Sequence, residues 1–521
     1  MIRVYNTLSK AREEFQSVKP GKVGIYLCGP TVYKPSHIGH MVGPVIFDAI
    51  KRYLAYNDYD VTFVINITDV DDKLIAEAKA RNIPMSAVAD EMTADYMRNL
   101  DAMGVLDNVD HFPKATEYMT QIIDFVEDLI KKGFAYESEG DVYFDVTQVP
   151  DYGKLSHRSL EQMLGEGGST VGQKHSPCDF ALWKAAKPGE PSWDSPWGKG
   201  RPGWHIECSV MSGALLGETF DIHGGGLDLV FPHHENEIAQ SESRYGCPMA
   251  KYWLHNGLMQ ASNEVGKVGG RNTRDQETAA EAGDLQSQEA GKISKSKGAN
   301  AFRDMLKQFD PETIRFFLLS SHYRRPIDFS FERIGEVGKG LEMFYRFFKR
   351  YERITGENFY RVIAAKNRKN GENASCNNPF LKSIYELKTE FLEAMDDDFN
   401  TGGATGVLFD MLRLLNKYVD DNRLETEKTP DAEKLQSIKQ AVKVFRELAM
   451  TFGLFRQPPE EKPTAANNEI VGKLMTLLIE LRANARKSKD FATADKIRKD
   501  LTDAGIILED RPGGTEWSLM N

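Results

Sequence analysis

The sequence predicts an α/β protein built on a parallel sheet. Residues 23–27 and 61–67 are short apolar runs typical of buried strands. Each run is followed by a polar turn and then by helical spacing of apolar residues, which starts near Met41 and near Lys73. Strands that alternate with helices in this way favour parallel pairing, because the connection between parallel strands has to cross over the sheet.

The pattern changes twice further along the chain. Residues 133–202 are rich in turns, aromatic residues and prolines, which predicts an irregular insertion into the sheet domain. Strand signals return at residues 219–222 and 251–258. Between residues 336 and 455 apolar side chains recur with the period of a helix, as at Phe344, Phe347, Phe348 and Tyr351, and this predicts a helical bundle.

These patterns divide the chain into eight predicted segments. They are the first half of the sheet domain (1–132), a connective insertion (133–202), the second half of the sheet domain (203–260), a polar loop insertion (261–291), a lysine-containing loop with the region after it (292–335), the helical bundle (336–456), a proline-containing linker (457–468) and a small C-terminal α/β module (469–521).

Composition limits the classes of protein that fit. With 521 residues, of which 41% are hydrophobic and 27% charged, the chain is long enough for several globular domains. No apolar run approaches the ~18 residues that a membrane span needs, and the first residues are polar, so we expect a cytoplasmic protein without a membrane partner. A formal net charge of -11 excludes a generally basic nucleic-acid coat, and any RNA contact has to come from a local patch.

Five cysteines, an odd number, are spread widely along the chain, unlike the dense pattern of a secreted disulfide scaffold. We expect reduced thiols or metal ligands. The sequence gives no direct sign of oligomerisation, and we expect a monomer.

Residues 37–40, His-Ile-Gly-His, lie between the first predicted strand and the helix after it. A helix N-terminus at the carboxyl end of a parallel strand offers free backbone N–H groups to a phosphate. Gly39 leaves room for a flat base, and His37 and His40 can donate hydrogen bonds to phosphate oxygens. Two histidines that only cap the helix are the structural alternative.

A second motif, Lys-Ile-Ser-Lys-Ser at residues 292–296, follows the polar loop. Mobile ammonium groups of Lys292 and Lys295 can close over a triphosphate and stabilise the departing pyrophosphate. Taken alone, this motif is more typical of a solvated surface loop.

Together the two motifs resemble the signature pair of class I aminoacyl-tRNA synthetases. This resemblance implies a Rossmann-like catalytic domain that uses ATP with Mg²⁺, forms an aminoacyl-adenylate and transfers the acyl group to the terminal adenosine of tRNA. By motif position it assigns ATP binding to His37, Gly39, His40 and Lys295, and catalysis to His37, His40, Lys292 and Lys295.

Residues 203–237 contain the chain's richest group of metal-ligand residues. Pro232 is placed to open a helix on which His233 and Glu237, four residues apart, share one face, and this spacing favours them over His234. Cys208 and Cys28 can complete a set of two cysteines, one histidine and one glutamate. For Cys28 taken alone, a small buried apolar residue is the alternative reading.

The runs at 26–33, 66–73, 203–208, 223–226 and 231–237 resemble, in this order, the sequence blocks of cysteinyl-tRNA synthetases. The resemblance implies one Zn²⁺ per subunit on Cys28, Cys208, His233 and Glu237, with the thiolate of the substrate cysteine as a further ligand. It also implies an amino-acid and adenylate pocket lined by Cys28, Thr68, Trp204, His223 and Asp228. A thiolate binds zinc strongly and a serine hydroxyl binds it poorly, so a metal can separate two amino acids of nearly equal size.

Residues 482–499 carry seven basic and two acidic residues, which fits an RNA-facing helix pair or a merely solvated surface. This region resembles the anticodon-reading module of the family and suggests contacts from Arg486, Phe491, Asp495 and Asp510. Residues 396–401 resemble a stretch of the family's helical bundle, where the three aspartates are expected to cap a helix.

The chain departs from the family pattern in the 261–291 insertion, in Ile293 where methionine is common, and in residues 298–300. Two other functions fit parts of the sequence. One is a zinc-dependent ligase that passes cysteine to a small amine, which the C-terminal module disfavours. The other is an inactive RNA-binding paralogue, which the intact motifs disfavour.

Overall fold

The structure, a computed structural model, describes residues 1–163, 174–261, 301–369, 378–425, 431–459, 465–511 and 514–519. These residues form two compact units, Met1–Gln457 and Pro458–Asn521. Residues 262–291 of the expected polar loop, with Lys292 and Lys295 after it, lie outside the described residues. In the described part of the chain, no helix is both long and apolar enough to cross a membrane.

The first unit begins with alternating strands and helices. Its elements up to residue 102 are β1 (Arg3–Asn6), β2 (Ala11–Glu14), β3 (Lys22–Leu27), α1 (Gly39–Tyr56), β4 (Asp60–Ile65), α2 (Asp72–Arg81) and α3 (Met85–Ala102). The next elements are α4 (Met119–Lys131), β5 (Ala135–Ser138), β6 (Asp141–Phe144), α5 (Leu160–Met163), β7 (Phe180–Ala185) and β8 (Gly200–Pro202). They are followed by α6 (Trp204–Leu216), β9 (Phe220–Gly226), α7 (Glu235–Tyr245), β10 (Ala250–Asn256) and β11 (Met259–Ala261).

The rest of the first unit is mainly helical. It comprises α8 (Phe302–Met305), α9 (Pro311–Leu319), β12 (Ile327–Phe329), α10 (Phe331–Thr355), α11 (Pro379–Asp396), α12 (Thr401–Asp421) and α13 (Ala432–Thr451). The second unit contains α14 (Ala465–Lys487), α15 (Phe491–Asp503), β13 (Ile506–Arg511) and β14 (Gly514–Leu519).

The predicted parallel sheet is confirmed. Its four strands lie in the order β10-β9-β3-β4 and all three pairings are parallel. Twenty of the 26 residues of these strands are buried, as expected for a sheet covered on both faces. The chain order reverses between β3 and β9, and this switch point is where α/β sheets open a crevice at the carboxyl ends of their strands.

Helix α1 lies directly against the sheet. Thirteen of its 18 residues are buried. A Cβ atom on Gly224 of β9 would lie 2.2 Å from Cζ of Phe47, so only glycine allows this close contact between helix and strand. The N-terminus of α1 is therefore held beside the ends of β3 and β9.

The insertion is more regular than the sequence predicts. Strands β5, β6, β7 and β8 form an antiparallel four-stranded sheet in chain order. These strands are only three to six residues long, and the register shifts between Val142 and Tyr143. Short, bulged strands between prolines leave no sustained two-residue period, which explains why the sequence did not reveal them.

The predicted bundle consists of α10, α11, α12 and α13. The apolar faces expected from helical spacing are buried: Phe344, Phe347, Phe348 and Tyr351 on α10 are at most 3% exposed. Residues from the sheet and from the bundle belong to one continuous apolar core, so the bundle packs on the sheet domain as part of the same unit.

The acidic run at residues 396–398 does not cap a helix as expected, since Asn400 is the residue that caps α12. The three carboxylates instead contact the start of the chain and its surroundings. Asp398 accepts hydrogen bonds from the backbone of Tyr5 at 2.8 Å and from Arg324 at 2.6 Å. Asp397 pairs with Arg3 at 3.0 Å. The run therefore fastens the β1–β2 hairpin to the bundle.

A buried ion pair joins the sheet domain to the bundle. Asp48 of α1 accepts hydrogen bonds from Arg315 of α9, from Arg52 at 2.9 Å and from Asn108 at 2.6 Å. Arg315 also donates to the carbonyl of Phe452 at 2.8 Å. Burial alone raises the pKa of Asp48, but Arg315 and Arg52 outweigh it and hold that pKa below its usual range. The pair thus stabilises the fold at neutral pH and loses this effect as acid protonates the carboxylate.

We expect Arg315→Met to lower the free energy of unfolding by about 3 kcal/mol, because it leaves a buried carboxylate without its main cation. Urea denaturation at pH 7 measures this loss. Lys131→Met, which removes the exposed pair with Glu127, is the control and should cost less than about 1 kcal/mol. Equal effects of the two substitutions would contradict a central role for the Asp48 pair.

Candidate metal and nucleotide site

A cavity of about 380 Å³ opens at the carboxyl ends of β3 and β9. It brings together nine of the side chains and glycines predicted from the sequence, namely Cys28, His37, Gly39, His40, Thr68, Trp204, Cys208, Asp228 and His233. Two more, His223 and Glu237, have no exposed surface. Glu237 Oε1 lies 3.5 Å from Cys28 Sγ, and His223 Nε2 lies 2.8 Å from Glu237 Oε2. Lys292 and Lys295 lie outside the described residues.

Cys28, Cys208, His233 and Glu237 form a cluster at the base of this cavity. One potential ligand atom from each lies within 4.8 Å of all the others. The Sγ atoms of the two cysteines are 3.8 Å apart, and Glu237 Oε1 lies 3.5 Å from Cys28 Sγ and 3.0 Å from His233 Nε2. Two thiols, an imidazole and a carboxylate are a donor set that suits zinc.

A second arrangement of potential ligands overlaps the first. Cys28, His223, His234 and Glu237 also meet the 4.8 Å condition. His223 Nε2 lies 2.8 Å from Glu237 Oε2, on the side of the carboxylate away from His233. The donor atoms favour the first set as the zinc site, because only that set includes both thiols and the cavity-lining His233.

The protonation states within the cluster follow from its contacts. Burial opposes ionisation of Cys208, but the hydrogen bond from Cys28 and the proximity of His233 lower its pKa to about 6. Burial raises the pKa of Cys28. Burial also works against a charged Glu237, yet His223 and His233 lower its pKa to about 2. Burial opposes a charged His233, but Glu237 and Cys208 raise its pKa to about 10. The cluster thus holds a thiolate and a carboxylate beside a protonated imidazole, and a bound metal cation would take the place of that proton.

His233 and Glu237 make the contact that four-residue spacing predicts. Phe231 is extended, with φ -137° and ψ 134°, and this kink separates the turn before it from the helical backbone that leads into α7. His234 already has helical backbone angles, so His233 and Glu237 share one face across the start of α7. On α6, Trp204 and Cys208 share one face in the same way, and the Trp204 ring stacks on His233 with 4.2 Å between ring centroids.

The loop after β3 is fixed by Gly29. Its N–H donates to the side-chain oxygen of Asn66 at 2.8 Å, and a Cβ atom at this position would lie 1.8 Å from the carbonyl oxygen of Asn66. The loops after β3 and β4 can approach this closely only with glycine here. Thr68, in the second loop, is brought to the same cavity as Cys28.

His37 and His40 lie at the N-terminus of α1. Their ring centroids are 3.8 Å apart, and the N–H of Gly39 donates to His37 Nδ1 at 3.1 Å. Ser36, just before them, is held from two sides. Its N–H donates to the buried carboxylate of Asp95 at 2.9 Å, and its carbonyl accepts from the N–H of Phe302 at 2.7 Å. The start of α8 thus contacts the histidine loop directly.

Other polar groups of the site carry no clear signal in the sequence. His205 Nδ1 lies 2.9 Å from His233 Nδ1, and His234 Nδ1 lies 2.8 Å from His255 Nε2. Burial lowers the pKa of His255 to about 3, and those of His205 and His234 well below their usual range. The density of histidines between residues 205 and 255 is the one feature that could have indicated this network.

The residues suggested for anticodon contacts lie in the second unit. Arg486 and Asp510 meet at 3.2 Å, but Asp510 is also bound by both terminal nitrogens of Arg482, at 2.8 and 2.9 Å. These hydrogen bonds, from Arg482 above all, lower the pKa of Asp510. Phe491, at the start of α15, is 59% exposed, and Asp495 follows one turn later on the same surface.

Comparison with known families matches three parts of the chain. Residues 14–268 and 283–339 match the catalytic domain of class I (C) tRNA synthetases, residues 390–456 match the DALR domain, and residues 476–517 match the anticodon binding domain of cysteinyl-tRNA ligase. A cysteine–tRNA ligase of Heliobacterium modesticaldum is 44% identical over 99% of both chains. The chain belongs to the cysteine–tRNA ligase family. A family member from Geobacter sulfurreducens is 43% identical, again over 99% of both chains.

Solved structures of other class I synthetases share the fold of this family member. Methionyl-tRNA synthetase of Mycobacterium tuberculosis, bound by methionyl-adenylate, has a TM-score of 0.58 and 15% identity, over 84% of this chain and 91% of that one. A putative arginyl-tRNA synthetase from Campylobacter jejuni has a TM-score of 0.51 and 14% identity, over 83% and 92%. The catalytic-domain match passes over residues 269–282, inside the segment that the sequence marks as an insertion.

We expect Gly29→Ala to lower both the metal content and the affinity for ATP by at least about tenfold, because the added methyl group forces apart the two loops that carry Cys28 and Thr68. Metal analysis and equilibrium nucleotide binding measure these losses. Gly406→Ala is the matched control, since a Cβ atom there meets nothing within 4 Å among the described atoms. Normal metal content in the Gly29 variant would show that this contact does not position Cys28.

Proposed function

We propose that the chain activates L-cysteine with ATP to cysteinyl-adenylate and transfers the cysteinyl group to the 3′-terminal adenosine of tRNA-Cys. The observation that carries this proposal is the position of the Cys28 cluster, at the base of the same cavity whose edge is the His37–His40 loop. An amino acid bound by its side chain at the cluster and a nucleotide bound at the His37–His40 loop would share this one cavity, as adenylate formation requires.

We propose that Cys28, Cys208, His233 and Glu237 hold one Zn²⁺ per subunit. The residues fit zinc, because one potential ligand atom from each lies within 4.8 Å of the others and the donor set is two thiols, an imidazole and a carboxylate. A bound zinc ion supplies an electrophilic partner for the substrate thiolate that serine, with its protonated hydroxyl, matches poorly. Trp204 lines the same cavity and stacks on His233, and we propose that its ring restricts the size of the side chain that binds there.

The nucleotide is assigned to the other end of the cavity. His37 and His40 offer their imidazoles to the phosphates of ATP, which binds together with Mg²⁺, and Gly39 leaves room for the nucleotide beside α1. Lys292 and Lys295 are proposed to neutralise charge on the leaving pyrophosphate. Thr68 offers a hydroxyl group and Asp228 a carboxylate to the ammonium and ribose groups of the substrates. His223 orients Glu237 through its contact with Oε2.

The second unit is proposed to read the tRNA anticodon. The family match over residues 476–517 supports tRNA as acceptor rather than a small amine. Arg486 and Phe491 are exposed and suited to phosphate contact and base stacking. Asp495 is exposed beside them. Asp510 holds Arg482 and Arg486 in place, so we assign it a positioning role for the RNA surface. We place this activity in the cytoplasm.

We expect the zinc-loaded protein to catalyse pyrophosphate exchange with cysteine at least about a thousandfold more efficiently than with serine, and to charge tRNA-Cys. Cys28→Ser should remove this selectivity together with the bound zinc, because it replaces a thiolate ligand by a hydroxyl. Exchange assays with both amino acids, metal analysis and tRNA charging test the proposal.

Cys247→Ser is the matched control, since Cys247 is a free thiol outside both ligand sets. It should leave zinc content and exchange within about twofold of the unsubstituted protein. Exchange without tRNA charging would instead support a small-amine ligase, and no exchange at all would support an inactive paralogue. A Cys28→Ser variant that keeps zinc and still prefers cysteine would exclude Cys28 as the selecting ligand.

A further inference from the structure

Asn256 presents a buried oxygen that has no hydrogen-bond partner among the described residues. It is the last residue of β10, next to Gly226 of β9 in the sheet, and is 5% exposed. Its Nδ2 donates to the carbonyl of Gly257 at 3.1 Å. Only the amide nitrogen can make that bond, so the free atom is the acceptor Oδ1. A buried acceptor without a donor costs free energy, and in a ligand pocket the ligand is the expected donor.

The position of this oxygen indicates which part of a ligand it meets. Asn256 lines the same cavity as Gly39 and Gly43, which lie one turn apart on α1. A Cβ atom on Gly43 would lie 3.6 Å from Asn256 Oδ1, so the oxygen lies close to the helix surface at Gly39 and Gly43, here called the glycine strip. One helical turn, about 6 Å, therefore separates it from the N-terminus of α1.

The strip is suited to a flat ring. Without side chains at positions 39 and 43, α1 offers a smooth backbone surface to the cavity, and Leu258 and Met259 line the cavity with apolar groups. Phosphates at the N-terminus of α1 and a ring along the strip together match the dimensions of a nucleotide. The ring edge or the attached sugar then reaches Asn256.

We propose that Asn256 Oδ1 accepts a hydrogen bond from the nucleoside part of ATP and that Asn256 is a specificity-determining residue for the nucleotide. This inference rests on the proposed function for the phosphate end of the site. The donor is an N–H or O–H group, either the 6-amino group of adenine or a ribose hydroxyl. A nucleotide that lacks this donor leaves the buried oxygen unpaired and is rejected for that reason.

The test compares ATP with three analogues: purine riboside triphosphate, which lacks the 6-amino group, 2′-deoxy-ATP and 3′-deoxy-ATP. The unsubstituted zinc-loaded protein should lose about tenfold in kcat/KM for pyrophosphate exchange with one of them. In Asn256→Ala the loss with that same analogue should shrink to less than about twofold. The analogue affected identifies the adenine amino group or a hydroxyl as the donor.

The ratio of kcat/KM between two nucleotides is measured within each variant. A lower folded fraction of Asn256→Ala therefore reduces both values equally and leaves their ratio unchanged. Asn256→Asp, which keeps an acceptor oxygen, should retain the discrimination and serves as the conservative control. Unchanged ratios in Asn256→Ala, or no discrimination by the unsubstituted protein, overturn the inference.

Calorimetry without an amino acid measures the equilibrium affinity for ATP and for each analogue, and gives the same comparison as a ratio of affinities. If cysteine-dependent exchange is absent while the affinity ratios behave as described, the proposed function fails and the inference on Asn256 stands. If exchange is normal and the ratios do not depend on Asn256, only the inference fails.

Discussion

The arrangement of the site depends on one buried carboxylate, that of Glu237. It has no exposed surface, so its charge is tolerated only with close partners on both oxygens. Oε2 lies 2.8 Å from His223 Nε2, and Oε1 lies 3.0 Å from His233 Nε2 and 3.5 Å from Cys28 Sγ. These partners come from the middle of β9, the turn before α7 and the end of β3. The need to neutralise one charge thus brings three separate parts of the chain to one point.

The parallel sheet makes this convergence possible and joins it to nucleotide chemistry. Cys28 and His37 are near the two ends of a single connection, from β3 to α1, that lies at the switch point of strand order. Cys28 of the proposed zinc site and the helix end proposed for the phosphates are consequently joined by one loop. Gly29 fixes that loop against the loop after β4, and Ser36 fixes it against α3 and α8.

Much of this could be predicted from the sequence, for identifiable reasons. The spacing of apolar residues in strands and helices depends only on nearby positions in the sequence, and this spacing predicted the parallel sheet and the bundle. The contact between His233 and Glu237 was also predicted, because four-residue spacing places both side chains on one face of helical backbone. The link from Cys28 to that pair came from family resemblance, since no local pattern connects residues about 200 positions apart.

What was missed depends on contacts distant in sequence. The antiparallel sheet of the insertion has strands too short to show a period. The aspartates at 396–398 resemble helix caps, but residues near the N-terminus of the chain compete for them. Asn256 is a single amide at a strand end, and only the folded structure shows that it lines the cavity with its oxygen close to Gly43 of α1.

Cys28, Cys208, His233 and Glu237 are proposed to hold one zinc ion that binds the substrate thiolate directly. Zinc K-edge X-ray absorption of the zinc-loaded protein, with and without L-cysteine, tests it most directly. The ligand set contributes two sulfur atoms, and the account predicts a third sulfur on addition of cysteine but not of serine. A zinc coordination shell that stays the same with cysteine would contradict the account.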